Sequence, residues 1–206
     1  MSKYVDPDIV KHLRQKENLA LTLEIERYAP NVKTELLFEF WSQLIAALNA
    51  ARPVTLPSNE FAFEIKDKAT IRDEYYEISS TSPIQSAPQP HLVFMIGQRY
   101  STDEFSIYAG IAWTAEVPKK SDIYQRKEIE SLRAALINDG YTPNPWWLGL
   151  RDLRTFPSPE HFLLSYVETP KEIVESLVEP FWQMASKYRD NANDANKALR
   201  KGLGTD

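Results

Sequence analysis

Apolar side chains occupy every second position from Phe105 to Trp113, with less hydrophobic residues between them. A period of two residues is typical of a β-strand that buries one face. The apolar run at residues 92–96 comes shortly before this segment, and the polar connection 97–104 joins the two. We therefore expect these two strands to pair as an antiparallel hairpin.

Four other segments carry strand patterns. Phenylalanine and isoleucine alternate with Ala, Glu and Lys over residues 61–66, which predicts a half-buried strand. Further strands are predicted at residues 75–79, 144–150 and 162–167. With the hairpin, these segments predict an α+β fold that has a mainly antiparallel sheet of about five strands covered by three or four helices.

The clearest helix pattern covers residues 33–51, where apolar side chains recur at intervals of three and four. Pro30 and Asn31 are predicted to break the chain before this helix, because proline removes a backbone donor. Another helix is predicted after Ser121, and Gly140 stands where its C-terminal cap belongs.

A last long helix is predicted to begin at Thr169 and Pro170, a pair typical of helix starts. Glu172 completes a capping box with Thr169, since its side chain can reach back to the first turn. Pro180 lies inside the same helix and is expected to kink it.

Two Phe-Trp pairs lie on these predicted helices: Phe40 with Trp41, and Phe181 with Trp182. Each aromatic side chain can bury roughly 150–250 Å². We therefore expect the two helices to bracket the sheet and to bury Phe40, Trp41 and Phe181, with Trp182 a less central member of the core.

The N-terminal segment leaves two interpretations open. Asp6 followed by Pro7 is typical of a helix start. Apolar residues then alternate over residues 19–26, which favours a strand. The alternative is one helix from Pro7 to Arg27, because leucine and glutamate are good helix formers.

The chain is expected to form a single domain over residues 1–206, since no repeat and no linker divides its hydrophobic residues. The core is expected at about residues 33–188. Residues 79–90 are rich in Ser, Pro and Gln and are predicted to form an exposed, mobile loop. The tail at residues 190–206 is predicted to be partly frayed.

Composition removes several classes of function. The 206 residues include no cysteine and only three histidines, which excludes disulfides, thiolate catalysis and cysteine-based metal sites. No glycine-rich phosphate loop is present, so no nucleotide cofactor is expected. No apolar run approaches the ~20 residues that span a bilayer, and the N-terminus has no signal-peptide pattern. We expect a cytoplasmic protein without membrane contact.

One short motif is compatible with catalysis. Glu64-Ile65-Lys66 matches the (D/E)-x-K element of PD-(D/E)XK nucleases, provided that it lies on a strand. Glu64 would then hold Mg²⁺, and Lys66 would steady the attacking water or the phosphate. The competing interpretation is a solvated strand face, without catalytic residues or cofactor.

Basic and aromatic residues suggest a binding surface, although the net charge of −5 disfavours nucleic acid overall. Mixtures of this kind are common on nucleic-acid-binding surfaces, and an exposed tryptophan is a typical interface residue. Neighbouring residues on a strand point to opposite faces, so one indole of the Trp146-Trp147 pair would be exposed. The alternative is that the sheet is covered on both faces or that the segment is not a regular strand. The candidate binding residues are Arg99, Tyr108, Lys119, Lys120, Arg126, Lys127, Trp146, Trp147 and Arg151.

The order of motifs resembles a domain of uncharacterised function that accompanies bacterial PD-(D/E)XK restriction-type nucleases. The resemblance spans residues 36–189. It is carried by Phe38-Glu39-Phe40-Trp41 with Leu44 and Leu48, by Ile107-Tyr108-Ala109-Gly110-Ile111, by Asn144-Pro145-Trp146-Trp147 and by Phe181-Trp182. It implies an accessory or recognition role beside a nuclease.

Two functions follow as expectations. The first is a non-catalytic binding or accessory module that acts on a protein partner or nucleic acid, within a prokaryotic host–phage conflict or regulatory system. The alternative is a Mg²⁺-dependent PD-(D/E)XK-like nuclease. The sequence does not indicate an oligomeric state.

Overall fold

The computed structural model describes residues 6–64, 71, 75–80, 91–101, 103–117 and 121–201. These residues form an α+β fold with an antiparallel sheet and five α-helices. In chain order the elements are α1 (Pro7–Leu13), α2 (Lys16–Ala50), β1 (Tyr75–Ser79), β2 (Leu92–Ser101), β3 (Glu104–Trp113), α3 (Lys127–Asn138), β4 (Trp147–Phe156), α4 (Pro159–Glu168) and α5 (Pro170–Lys201). A short 3₁₀ helix, Asp122–Gln125, precedes α3.

The sheet is a simple meander in the order β1-β2-β3-β4, with every neighbouring pair antiparallel. The predicted hairpin is confirmed, and Ile96 faces Ala109 across it. The described part of the chain contains four strands, where the sequence predicts about five.

The strand predicted at residues 162–167 is wrong, because this segment lies in α4. The Ser158 hydroxyl accepts a hydrogen bond from the backbone N–H of His161, and Pro159 is the first helical residue, so the helix start is well capped. Phe162 and Tyr166, four residues apart, are both buried. That spacing matches one face of a helix.

The strand predicted at residues 61–66 is also not observed over residues 61–64, and Ile65 and Lys66 lie outside the described residues. Phe61 and Phe63 are nevertheless buried, as the alternation implies. The backbone of Phe63 pairs with the side chain of Asn49 on α2 instead of a neighbouring strand, at 3.4 Å for its N–H and 3.3 Å for its carbonyl. Burial therefore follows the pattern, but strand pairing does not.

Helix α2 runs without interruption from Lys16 to Ala50, so both the strand at residues 19–26 and the break at Pro30-Asn31 are wrong. The alternative of a helical N-terminal segment is closer to the structure, although Arg14 and Gln15 separate α1 from α2. Pro30 removes only one helical hydrogen bond. The Thr34 hydroxyl donates to the Pro30 carbonyl at 2.8 Å.

Both Phe-Trp helices pack against the same face of the sheet, which corrects the expectation that they bracket it. The Trp41 indole on α2 bonds to Gln98 on β2, and the Trp182 indole on α5 donates to the Leu48 carbonyl of α2 at 3.1 Å. The predicted burial of Phe40, Trp41 and Phe181 is confirmed, and Trp182 is buried as well. On the opposite face of the sheet, Val93, Tyr108, Ala112 and Trp147 form a separate buried cluster to which no described helix contributes.

The ends of helices α3 and α5 agree with the sequence only in part. Gly140 follows α3 and has a φ of 84°, as expected for a capping glycine. Helix α5 begins at Pro170 and includes Pro180. The chain is helical to Lys201 with Leu199 buried, whereas fraying is expected from residue 190. Of the predicted loop at residues 79–90, residues 81–90 lie outside the described part of the chain.

Candidate functional site

The sheet face that points away from the helices holds a cavity of about 710 Å³. This volume lies within the roughly 300–1,000 Å³ that is common for ligand pockets. All four strands contribute to it, together with the turn before β4. The lining residues include Glu77, Ser79, Val93, Met95, Arg99, Tyr108, Ala112, Trp113, Thr114, Asn144, Trp146, Trp147 and Leu150.

Strand alternation places these side chains on one surface. Val93 and Met95 on β2 alternate with core residues, so they point away from the helices. Tyr108 on β3 and Trp147 on β4 meet them there, and their rings lie edge to face with centroids 5.4 Å apart. These residues form a second apolar cluster, separate from the main core, which is the floor of the cavity.

A tight turn fixes the two neighbouring tryptophans. The side-chain oxygen of Asn144 accepts hydrogen bonds from the backbone N–H groups of Trp146 at 2.8 Å and Trp147 at 3.0 Å. The N–H of Trp113 donates to the Trp146 carbonyl at 2.9 Å. Trp147 is buried and Trp146 is 53% exposed. Trp146 lies in the turn before β4, which begins at Trp147, so its exposure does not come from alternation along a regular strand.

The two charged groups that line the cavity differ in their partners. Arg99 forms an ion pair with Asp152 at 2.7 Å, and its guanidinium lies 5.8 Å from the centre of the Tyr108 ring. Glu77 accepts a 2.6 Å hydrogen bond from the Tyr108 hydroxyl, and it has no ion pair with any residue that the structure describes. The negative charge of Glu77 is therefore not neutralised by a direct ion pair within the described lining.

Asp152 is partly withdrawn from water beside Arg99. Its burial raises the pKa of the carboxyl, and the positive charge of Arg99 opposes that rise. Because Arg99 is already paired with Asp152, its positive charge is less available to an incoming anion. Of the two charged groups in the described lining, Glu77 is the one without an ion pair.

The structure brings together only part of the predicted binding set. Arg99, Tyr108, Trp146 and Trp147 all line the cavity. The remaining predicted residues do not line it: Arg126, Lys127 and Arg151 lie elsewhere, while Lys119 and Lys120 are outside the described residues.

The positions of these other basic residues are explained by local contacts. The Arg126 guanidinium donates to the Ala198 carbonyl of α5 at 2.7 Å, on the helical side of the sheet. The Arg151 guanidinium lies 4.8 Å from the centre of the Tyr141 ring. Lys127 is the exposed first residue of α3. The described basic side chains therefore do not form one continuous patch with Arg99.

Sequence reasoning missed Glu77, Asn144 and Asp152. Asn144 precedes the two tryptophans by two and three residues, and asparagine at this spacing is a recognisable turn signal. Glu77 and Asp152 carry no comparable signal, because their importance depends on which strands lie next to each other.

The nuclease alternative requires Glu64 to lie on a strand, and this is not observed. Glu64 is exposed and lies outside any strand, and Lys66 falls beyond the described residues. Within the described ranges, no group of three His, Asp or Glu side chains is placed to hold a metal ion. No described helix is long and apolar enough to cross a membrane.

No family model, no curated protein and no solved structure matches this chain. The resemblance to a domain that accompanies restriction-type nucleases therefore stays a prediction.

Proposed function

We propose that the protein is a non-catalytic binding module that recognises a protein partner through the cavity on the sheet face that points away from the helices. The recognised segment carries an arginine or lysine side chain next to an apolar or aromatic one. The observation that carries this proposal is the exposed indole of Trp146 in the lining of a cavity that also holds Glu77, a carboxylate without an ion pair among the described residues.

Charge favours a cationic group in this cavity. A guanidinium or ammonium near Glu77 would form a charge-assisted hydrogen bond in a partly desolvated site, where such bonds are stronger than in water. A phosphate there would be repelled by Glu77, while Arg99 is already paired with Asp152. The same arrangement therefore disfavours a nucleic-acid backbone.

The aromatic surface of the cavity is suited to the apolar or aromatic side chain of the partner. Trp146 offers an exposed indole face, and Tyr108 and Trp147 form an apolar floor. Tryptophan faces attract cations, and they also bury apolar side chains well. Tryptophan is enriched among residues that dominate the energy of protein interfaces.

Short synthetic peptides test the proposal directly. The probes are peptides of identical sequence, with leucine and tyrosine as neighbours, that differ only in a central arginine, glutamine or glutamate. Binding is measured by fluorescence polarisation with the full chain. We expect the arginine peptide to bind about tenfold more tightly than the glutamine peptide, a difference of about 1.4 kcal/mol, and the glutamate peptide to bind least.

Matched variants locate the interaction. Glu77→Gln keeps an acceptor for the Tyr108 hydroxyl but removes the charge, so it should abolish the preference for arginine. Trp146→Ala should weaken all three peptides. Glu130→Gln, at an exposed acid of α3 on the helical side, is the control and should change nothing.

Two results would overturn the proposal. One is peptide binding that does not depend on the central residue or on Glu77. The other is tighter binding of a single-stranded DNA or RNA oligonucleotide at the same surface, lost in Trp146→Ala, which would identify a nucleic-acid-binding protein instead.

A further inference from the structure

The first half of α2 exposes large apolar side chains that the fold does not cover. Leu21, Ile25, Tyr28 and Val32 are 57%, 59%, 50% and 56% exposed. Among the described side chains of α2, Leu37 is the first that is buried. Residues 16–32, called the helical arm below, therefore contribute little to the core of their own chain. Contiguous exposed apolar surface of this kind is unusual for a monomer.

The spacing of these four residues is that of a coiled coil. They follow one another at intervals of four, three and four residues, which is the alternation of the apolar a and d positions in a heptad. Ile25 and Val32 fall at a, and Leu21 and Tyr28 fall at d. β-Branched residues at a with leucine at d favour a parallel pair of helices. Both a positions here are β-branched, and one of the two d positions is leucine.

We propose that the helical arm pairs in parallel with the same arm of a second copy, so that the protein is a homodimer. In this arrangement each a residue meets the same a residue of the second copy across a two-fold axis, and each d residue meets the same d residue. The exposed stripe of each arm covers that of the other.

The flanking residues support the parallel orientation. Glu24 falls at position g, which faces position e of the second copy in a parallel pair. That position is occupied by Ala29, so no like charges meet. In an antiparallel pair the g positions face each other, and Glu24 would then approach acidic residues of the other arm.

Pro30 is compatible with the same arrangement. It falls at position f, on the side of the helix opposite the a and d residues. A proline ring there does not enter the contact, and a bend at this point does not remove the apolar stripe from the partner. Leu23 also falls at f, and at 56% exposure it is as accessible as Ile25.

Leu23 and Ile25 therefore provide a matched pair of variants. Sedimentation equilibrium of the full chain should show a dimer for the natural sequence. Ile25→Glu places a charge in the contact and should raise the dissociation constant at least about tenfold, whereas Leu23→Glu should leave it unchanged. Both residues are exposed in the single chain, so circular dichroism should show that both variants remain folded.

The chain has no cysteine, so single thiols can establish the orientation. Leu21→Cys should form an intermolecular disulfide on mild oxidation, because equivalent d positions meet only in a parallel pair. Leu23→Cys, at the outer position, is the control and should remain reduced.

The outcomes are decisive in either direction. A natural sequence that stays monomeric throughout the micromolar range would overturn the proposal. Equal weakening by Leu23→Glu and Ile25→Glu, or equal oxidation of the two cysteine variants, would overturn the parallel contact. Peptide binding at the cavity is a separate measurement and does not depend on these results.

Discussion

The indole nitrogen of Trp41 donates a 2.8 Å hydrogen bond to the side-chain oxygen of Gln98, and both side chains are completely buried. The amide nitrogen of Gln98 in turn donates to the carbonyl of Ile71 at 2.9 Å. One buried glutamine therefore satisfies a donor on α2 and an acceptor on residue 71 at the same time. Such a polar group is stabilising only while all of its partners are present.

We expect Gln98→Leu to destabilise the protein by roughly 2–4 kcal/mol, because each buried polar group left without a partner costs about 1–3 kcal/mol. The free energy of unfolding from urea titrations measures the effect. Gln183→Leu, an exposed glutamine on α5, is the control and should stay within about 0.5 kcal/mol of the natural protein. A loss of similar size in both variants would show that the buried hydrogen bonds contribute little.

The β3 strand illustrates what sequence alone establishes. Its period of two residues separates the side chains that enter the main core from those of the opposite face, although both faces of β3 are buried in the structure. The short connection to β2 leaves few pairing choices. The helix at residues 33–51 was predictable for the same reason, since its period of three and four is a local property. Local patterns of this kind predict elements reliably when nothing competes with them.

Residues 61–64 show that a local pattern predicts burial but not strand pairing. Their alternation correctly predicts that Phe61 and Phe63 are buried, but strand pairing requires a neighbour that sequence does not reveal. The side chain of Asn49 provides the backbone partner instead. At the candidate site the aromatic and basic members were found from composition. Glu77 and Asp152 instead meet Tyr108 and Arg99 across an intervening strand, and the members of each pair are 31 and 53 residues apart in the sequence.

The two Phe-Trp pairs and the Trp146-Trp147 pair allow a comparison of buried and exposed tryptophan. Trp182→Phe removes the indole that donates to the Leu48 carbonyl between α5 and α2, and it leaves a space in the core. We expect a loss of about 1–3 kcal/mol in the free energy of unfolding. Trp146→Phe should change the stability by less than about 0.5 kcal/mol, because its side chain is half exposed.

Thermal unfolding of the two tryptophan variants, followed by circular dichroism, tests this comparison. If Trp146→Phe proved as destabilising as Trp182→Phe, the indole of Trp146 would be a structural group. It would then be a poor candidate for contact with a partner.

Two glycines are expected to differ sharply in their tolerance of alanine. A Cβ atom at Gly110 would lie 2.1 Å from the carbonyl oxygen of Gly149 on the neighbouring strand, a contact that backbone atoms cannot relieve without moving the strands apart. Gly140 has a positive φ but open space around it, so alanine there meets only conformational strain.

Gly140→Ala should therefore lose about 1–2 kcal/mol in the free energy of unfolding, whereas Gly110→Ala should lose more and yield less soluble protein. Comparing the unfolding midpoints of the two variants in urea checks the order. Equal losses would mean that β3 and β4 separate easily at Gly110.

Asp139 links α3 to α5 and makes the stability depend on pH. Its carboxylate accepts hydrogen bonds from the Lys187 ammonium and the Tyr188 hydroxyl. The Lys187 hydrogen bond, followed by that of Tyr188, lowers the pKa of Asp139 below its ordinary value of 3.8. A lowered folded-state pKa means that this contribution is fully present above the unfolded pKa and is lost as pH falls through the lower, folded one.

We therefore expect Asp139→Asn to be less stable than the natural protein at neutral pH, and the difference to shrink as the pH falls below about 3.8. Lys187→Met removes the main cause of the shift and should reduce the same pH dependence. Urea unfolding across this pH range measures the difference between each variant and the natural protein. A difference that stays constant with pH, or grows under acid conditions, would contradict the assignment, because only a carboxylate that is preferentially ionised in the folded state loses its contribution on protonation.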